Sequence, residues 1–154
     1  MRDSISIDRI KQTHPQARAI FTDFINKCEE THNITIRITE PVYRTIAEQN
    51  ELYAQGRTTP GAIVTRAQGG QSYHNFGLAI DICILNAYGV DWNYNIGKFE
   101  PIAKKYGIEW GGDWHSIKDY PHFQITFGYS CEQLNKIAQA GAVDDSGYIL
   151  LITV

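Results

Sequence analysis

What the chain lacks narrows its class first. Cysteine is sparse, with only Cys28, Cys83 and Cys131 among 154 residues. They are far apart and form no CxxC pair. A thiolate zinc cluster or a disulfide framework needs more than this, so the three read as buried thiols of a protein in a reducing compartment. Charge of one sign is lacking too: 14 Lys and Arg stand against 17 Asp and Glu, for a net charge of −3. With no basic stripe, there is no electrostatic reason to expect nucleic acid as a partner. No run approaches the ~20 apolar residues of a transmembrane helix. Met1 to Lys11 is polar and charged, without the apolar stretch of a secretory leader. The expectation is synthesis in the cytoplasm, with any external target reached after release or export. Repeats, low-complexity tracts and long Pro/Gly/Ser linkers are also missing.

What remains is an ordinary globular balance of 43% apolar and 20% charged residues. That is enough for one core without staples, and predicts a single domain over residues 1–154. Helical spacing is expected from Pro15 to Thr31, where Ala17, Ile20, Phe21, Phe24 and Ile25 share a face. Ile34, Ile36 and Ile38 alternate as a strand with one buried side. A helix is expected over Thr45 to Gln55, then a loop rich in Gly, Thr and Gln from Thr58 to Gln71. Leu78 to Leu85 reads as a buried strand interrupted by Asp81. A helix over Ile96 to Tyr106, strands over Ile108 to Trp114 and His122 to Phe127, a helix over Cys131 to Ala140 and a strand over Tyr148 to Val154 complete the pattern. The expected class is α+β, a small and mainly antiparallel sheet flanked by helices.

Two segments carry chemistry: Ser72 to Asp81 (SYHNFGLAID) and Trp110 to Gln124 (WGGDWHSIKDYPHFQ). A catalytic zinc commonly takes three ligands from His, Asp or Glu and leaves a position for water. His74, Asp81 and His122 could supply such a set, and Gly77 lets the backbone turn between the first two. Asp81 lies in an apolar run, where a carboxylate is costly unless paired or bound to a cation. On residue types alone, a salt-bridged Asp81 and two ordinary loop histidines stand beside the metal reading. Asp119, three residues before His122 and followed by Pro121, could act as a proton-transferring carboxylate or be a turn residue. His115, in Asp113-x-His115, is a competing ligand ranked below His122. Arg44 could meet a substrate carboxylate or an oxyanion. Gln49 and Arg57 lie on the next helix and its end, as substrate contacts or as a solvated face. His14 and His32 read as surface residues.

The motifs together resemble the zinc D,D- and L,D-peptidases of the VanX/VanY type, and within them the L-alanyl-D-glutamate endopeptidases of phages and Gram-positive bacteria. The pattern S-x-H-x-x-G-x-A-x-D is met at Ser72 to Asp81, W-G-G-D-W at Trp110 to Trp114 and D-x-P-H-F-Q at Asp119 to Gln124. A Y-R-T…E-Q-x-x-L-Y-x-x-G-R-T segment is met at Tyr43 to Thr58. The resemblance covers most of residues 35–127. It implies the zinc fold shared with the hedgehog signalling domain, Zn²⁺ held by His74, Asp81 and His122, and Asp119 as general base. It also implies Arg44 near the scissile carbonyl and Ser72 in contact with substrate. The implied partner is the stem peptide of peptidoglycan, and the chain is expected to be monomeric. The implied activity is hydrolysis of the L-alanyl–D-glutamate bond. D-alanyl-D-alanine carboxypeptidase or dipeptidase activity, and a zinc-containing module that binds without cleaving, are the alternatives.

Overall fold

The structure is a computed structural model and describes residues 1–151. A short helix that the pattern of apolar residues does not announce, α1 (Ser4–Arg9), opens the chain, with Asp3 accepting from the Ser6 amide as its N-cap. Helix α2 (Pro15–His32) follows, because proline has no amide hydrogen to leave unpaired in a first turn. Asn33 ends it in the left-handed region at φ 50°, which asparagine tolerates better than most residues. Ala17, Phe21, Phe24, Ile25 and Cys28 form its buried face.

Strand β1 (Thr35–Ile38) then lies at one edge of the sheet. An edge exposes unpaired backbone groups, and here side chains from both helices cover them. The Ser6 hydroxyl accepts from the Ile38 amide at 2.8 Å, Glu29 accepts from the Ile36 amide at 3.0 Å, and Arg9 donates to the Ile38 carbonyl at 2.7 Å. Asp3 receives two hydrogen bonds from Arg37 of β1, at 2.9 and 3.1 Å. These tertiary contacts, rather than any amphipathic pattern, hold α1 in place.

Thr45 and Glu48 form a reciprocal capping box for α3 (Ile46–Ala54). After the loop comes β2 (Ala79–Asn86), which turns back through a short hairpin into β3 (Gly89–Asp91). The helix expected over Ile96 to Tyr106 is split. Residues 96–99 make a 3₁₀ turn and α4 (Glu100–Lys105) starts beside Pro101. The expected strand from Ile108 shrinks to β4 (Glu109–Trp110), because Gly111 to Asp113 wind into another 3₁₀ turn. Strand β5 (His122–Gln124) and helix α5 (Cys131–Gln139) follow. Beyond α5, only a lone antiparallel bridge, Val143 to Ile149, stands where a terminal strand was expected. Residues 152–154 of that expected strand lie outside the described residues.

The sheet order is β1-β2-β5-β4, with β3 on β2, and every pairing is antiparallel. Its apolar side chains (Ile36, Ile38, Ile80, Ile82 and Phe123) join α2, Phe99 and Leu134 in one buried cluster. All three cysteines are free: Cys28 and Cys83 are buried and Cys131 half-buried. Burial pushes the Cys28 thiol up to about 12 and the Cys131 thiol up to about 11, so neither is a ready nucleophile. Among the described residues, no helix is long and apolar enough to cross a membrane.

Candidate metal centre and active site

The site begins with a strand register. Antiparallel pairing of β2 and β5 sets Asp81 opposite His122. His74 reaches them from a 3₁₀ turn over Tyr73–Phe76, which Gly77 closes at φ 67°. A side chain at Gly77 is barred twice: by that φ, and because a Cβ there would lie 2.7 Å from the His14 nitrogen. One carboxylate oxygen and one nitrogen from each ring, contributed by Asp81, His74 and His122, all lie within 4.8 Å of one another. The separations are 3.3 Å from His74 Nε2 to Asp81 Oδ2 and 3.0 Å from His122 Nδ1 to Asp81 Oδ1.

The rings are oriented from behind. His74 Nδ1 donates to the Val42 carbonyl at 2.9 Å, which leaves Nε2 as the basic nitrogen. That Nε2 is buried and has no hydrogen-bond partner. An orphaned ring nitrogen of this kind, facing a carboxylate and a second imidazole, is what a metal ion requires. His122 is held the other way round. Its Nε2 lies 3.0 Å from Gln124 Oε1, and Gln124 donates in turn to Glu109 at 2.9 Å. With Nε2 donating its proton to the Gln124 oxygen, Nδ1, facing Asp81, keeps a lone pair that it can offer to a metal ion. Two imidazoles and one carboxylate suit zinc, which takes nitrogen and oxygen ligands and tolerates an open position.

Charge is distributed to match. Burial opposes ionisation of Asp81, but the two neighbouring imidazoles outweigh it and hold the carboxyl well below the usual range. Burial and the negative charge of Asp81 push Asp119 above the ordinary aspartate value, against a smaller pull from His122, His74 and Arg44. Burial lowers the affinity of Arg44 for its proton, and Asp81, Glu48 and Asp119 work against that. An arginine stays charged through such shifts.

A cavity of about 600 Å³ opens over the cluster, and Arg44, Ser72, His74, Asp81, Asp119 and His122 all line it. Asp119 is held there by close packing with the Gly111 turn. Its amide donates to the Gly111 carbonyl at 3.1 Å, and a Cβ on Gly111 would stand 2.4 Å from the Asp119 carbonyl oxygen. Ser72 contributes its hydroxyl to the His74 amide at 3.3 Å, so it shapes the turn as well as the wall.

Gln49 and Arg57, expected on substrate, are absent from the cavity wall. Gln49 is fully buried: it accepts from Arg44 at 2.7 Å and donates to the Ala67 carbonyl at 2.8 Å. Arg57 sits on the Tyr53 ring and donates to the Tyr53 and Thr65 carbonyls. His115 is exposed and does not line the cavity. His14 is a buried residue rather than a surface one, its Nε2 bound to the Ile149 carbonyl at 2.8 Å. His32 is half-buried against Phe99. The residues that sequence reasoning left without a role are Gln124, Glu109 and Trp114, whose ring lies 5.1 Å from that of His122. Gln124 stands two residues after His122, on the same face of a strand, and closes the D-x-P-H-F-Q motif, and these were the signals available for it.

A fold of this kind, with a His–Asp–His cluster in an open cavity, defines a class of metal-site hydrolase. Comparison with known proteins makes it specific. A family profile described as D-alanyl-D-alanine carboxypeptidase, of the M15 peptidases, matches residues 65–125. The peptidoglycan L-alanyl-D-glutamate endopeptidase CwlK of Bacillus subtilis is 45% identical in an alignment that covers 67% of this chain and 68% of that one. The L-alanyl-D-glutamate peptidase of Listeria phage A118 is 39% identical over 71 residues, covering 43% of this chain and 25% of that one. Among solved structures, the Serratia marcescens L-Ala D-Glu endopeptidase ChiX superposes with a TM-score of 0.59 at 22% identity, over 80% of this chain and 88% of that one. The LdcB LD-carboxypeptidase gives 0.50 at 20% identity, over 84% and 71%. These two likenesses establish the fold. The chain belongs to the M15 peptidase family.

Proposed function

We propose that this protein is a zinc-dependent peptidoglycan peptidase that hydrolyses the L-alanyl–D-glutamate bond of wall stem peptides. The observation that carries the reading is the cluster of His74 Nε2, an Asp81 oxygen and His122 Nδ1, all within 4.8 Å of one another at the floor of a cavity that Asp119 also lines. A binding module has no use for the added carboxylate. The similarity to CwlK selects the bond.

Zinc held by His74 Nε2, an Asp81 oxygen and His122 Nδ1 would acidify water and polarise a carbonyl. The remaining roles fall to the chain's own groups. The Asp119 carboxylate takes the proton of the attacking water and returns it to the departing amine. Its raised proton affinity suits a group that must hold that proton in passing. The Arg44 guanidinium, fixed by Gln49, donates toward the carbonyl oxygen as negative charge builds there. Ser72 and Trp114 form part of the walls that receive the peptide.

The test is digestion of purified peptidoglycan, with the new termini read by mass spectrometry. Appearance of N-terminal D-glutamate, abolished by a chelator and restored by zinc, is the expected result. Release of D-alanine instead moves the protein to the carboxypeptidase activity for which the family profile is described. No cleavage by zinc-loaded protein removes the catalytic reading.

A further inference from the structure

The cavity wall carries two cations, Arg44 and Arg66. Arg44 is spoken for by Gln49 and by the electrostatic pull of Asp81 and Asp119. Arg66 is different. Its side chain is exposed and makes no hydrogen bond or ion pair among the described residues. Yet the backbone on either side of it is pinned. Arg57 donates to the Thr65 carbonyl at 3.0 Å, Gln49 donates to the Ala67 carbonyl at 2.8 Å, and the Thr65 hydroxyl accepts from the Ala67 amide at 3.1 Å. Arg66 thus lines the cavity with an unpaired guanidinium carried on a fixed backbone. One buried amide, Gln49, thus anchors both cations: its oxygen takes Arg44 and its nitrogen takes the strap that bears Arg66. Next along that strap, Ile63 and Val64 are each 58% exposed and line the same cavity. The strap therefore offers apolar surface followed by a positive charge.

The chemistry of the proposed substrate supplies a match. Glutamate has two carboxyl groups. Inside a chain cut by an endopeptidase, one of them continues the peptide and the other is free. Whichever carboxyl continues the chain, a negative charge on a short aliphatic residue lies within a few bonds of the scissile nitrogen. We infer that Arg66 is a specificity-determining residue that pairs with this free glutamyl carboxylate, while Ile63 and Val64 receive the aliphatic part. The inference rests on the endopeptidase reading above. It replaces the roles expected for Gln49 and Arg57: both hold the strap, and the residue between their anchor points meets the ligand.

The experiment uses two synthetic peptides that share an L-alanyl–D-glutamyl bond. They differ only in whether the free glutamyl carboxyl is a carboxylate or a carboxamide. kcat/KM is measured on zinc-loaded wild type, Arg66→Gln and Arg66→Lys, with metal content determined on each preparation. The wild type is expected to favour the carboxylate by about tenfold or more, as for a charge-assisted, partly exposed pair. In Arg66→Gln that ratio falls to about one, with the loss appearing in KM, and zinc content stays that of the wild type. Arg66→Lys retains part of the preference, because the charge remains but the planar fork is lost. Equal cleavage of both peptides by the wild type, or an undiminished preference in Arg66→Gln, overturns the inference and leaves the endopeptidase reading intact. A zinc-loaded wild type that cleaves neither peptide overturns the endopeptidase reading, and the inference with it.

Discussion

Replacing Gln124 by Ala tests how the second imidazole is prepared for metal. Without metal, His122 can place its proton on Nδ1, facing Asp81 at 3.0 Å, so its tautomer does not depend on Gln124 alone. Once Nδ1 is a ligand, the proton must sit on Nε2, and its acceptor is the Gln124 oxygen at 3.0 Å. Gln124 is only 7% exposed, so water is a poor substitute. The substitution therefore penalises the metal-bound state more than the free one. One buried hydrogen bond is worth about 1–2 kcal/mol, which corresponds to a loss of about five- to thirtyfold in zinc affinity. Competition against a chromophoric chelator measures it directly, and the gain in melting temperature on adding zinc shrinks in step. Wild-type zinc affinity in Gln124→Ala would show that the His122 tautomer is not set by this chain of contacts.

Three further outcomes follow from the packing and charge around the site. Gly111→Ala puts a Cβ 2.4 Å from the Asp119 carbonyl oxygen; it is expected to cost about 1–3 kcal/mol of stability in urea titrations and to displace Asp119, lowering turnover. Gln49→Ala releases Arg44 and the 65–67 strap together, so kcat/KM should drop about a hundredfold while zinc content, assayed by atomic absorption, is retained. The Asp3 carboxyl is held down to about 2 by the hydrogen bond from Arg37, against an ordinary 3.8. A carboxyl with a depressed folded-state value stabilises fully above the unfolded value, and that stabilisation is lost as pH falls through the folded one. Its contribution, about 1 kcal/mol once solvent screening of the partly exposed Arg37 is allowed for, should therefore vanish between about pH 4 and pH 2, and urea midpoints of wild type and Asp3→Asn should converge over that range.

The parts of this molecule that were legible in sequence are those where residue type and spacing coincide with burial. Helix α2 follows from Pro15 and its apolar stripe, β1 from three alternating isoleucines, and the turn at His74 from Gly77. The ligand set was legible only as a possibility until four motifs were read together, because the opposition of Asp81 and His122 is a register between strands about forty residues apart. Elements held by long-range polar contacts were missed. Helix α1 depends on Asp3 meeting Arg37 and on Ser6 meeting β1, and neither partner is local. The strand expected from Ile108 ended early because Gly111 and Gly112 favour the turn that brings Asp119 to the cavity. Gln49, expected on substrate, lies buried behind Arg44: an amide at that position gives no sign in sequence of whether it faces substrate or the back of an arginine. The same holds for Arg66, which shows its relation to the cavity only once the strap is folded.

Metal content and turnover measured on the same preparations of wild type, His122→Ala and Asp119→Asn test the central claim most directly. Wild type is predicted to hold one zinc and cleave, and His122→Ala to lose both metal and activity. Asp119→Asn should keep its zinc but lose at least about a hundredfold in turnover. An Asp119→Asn protein that cleaves at the wild-type rate, or a wild type fully active after its metal is stripped, would contradict the account.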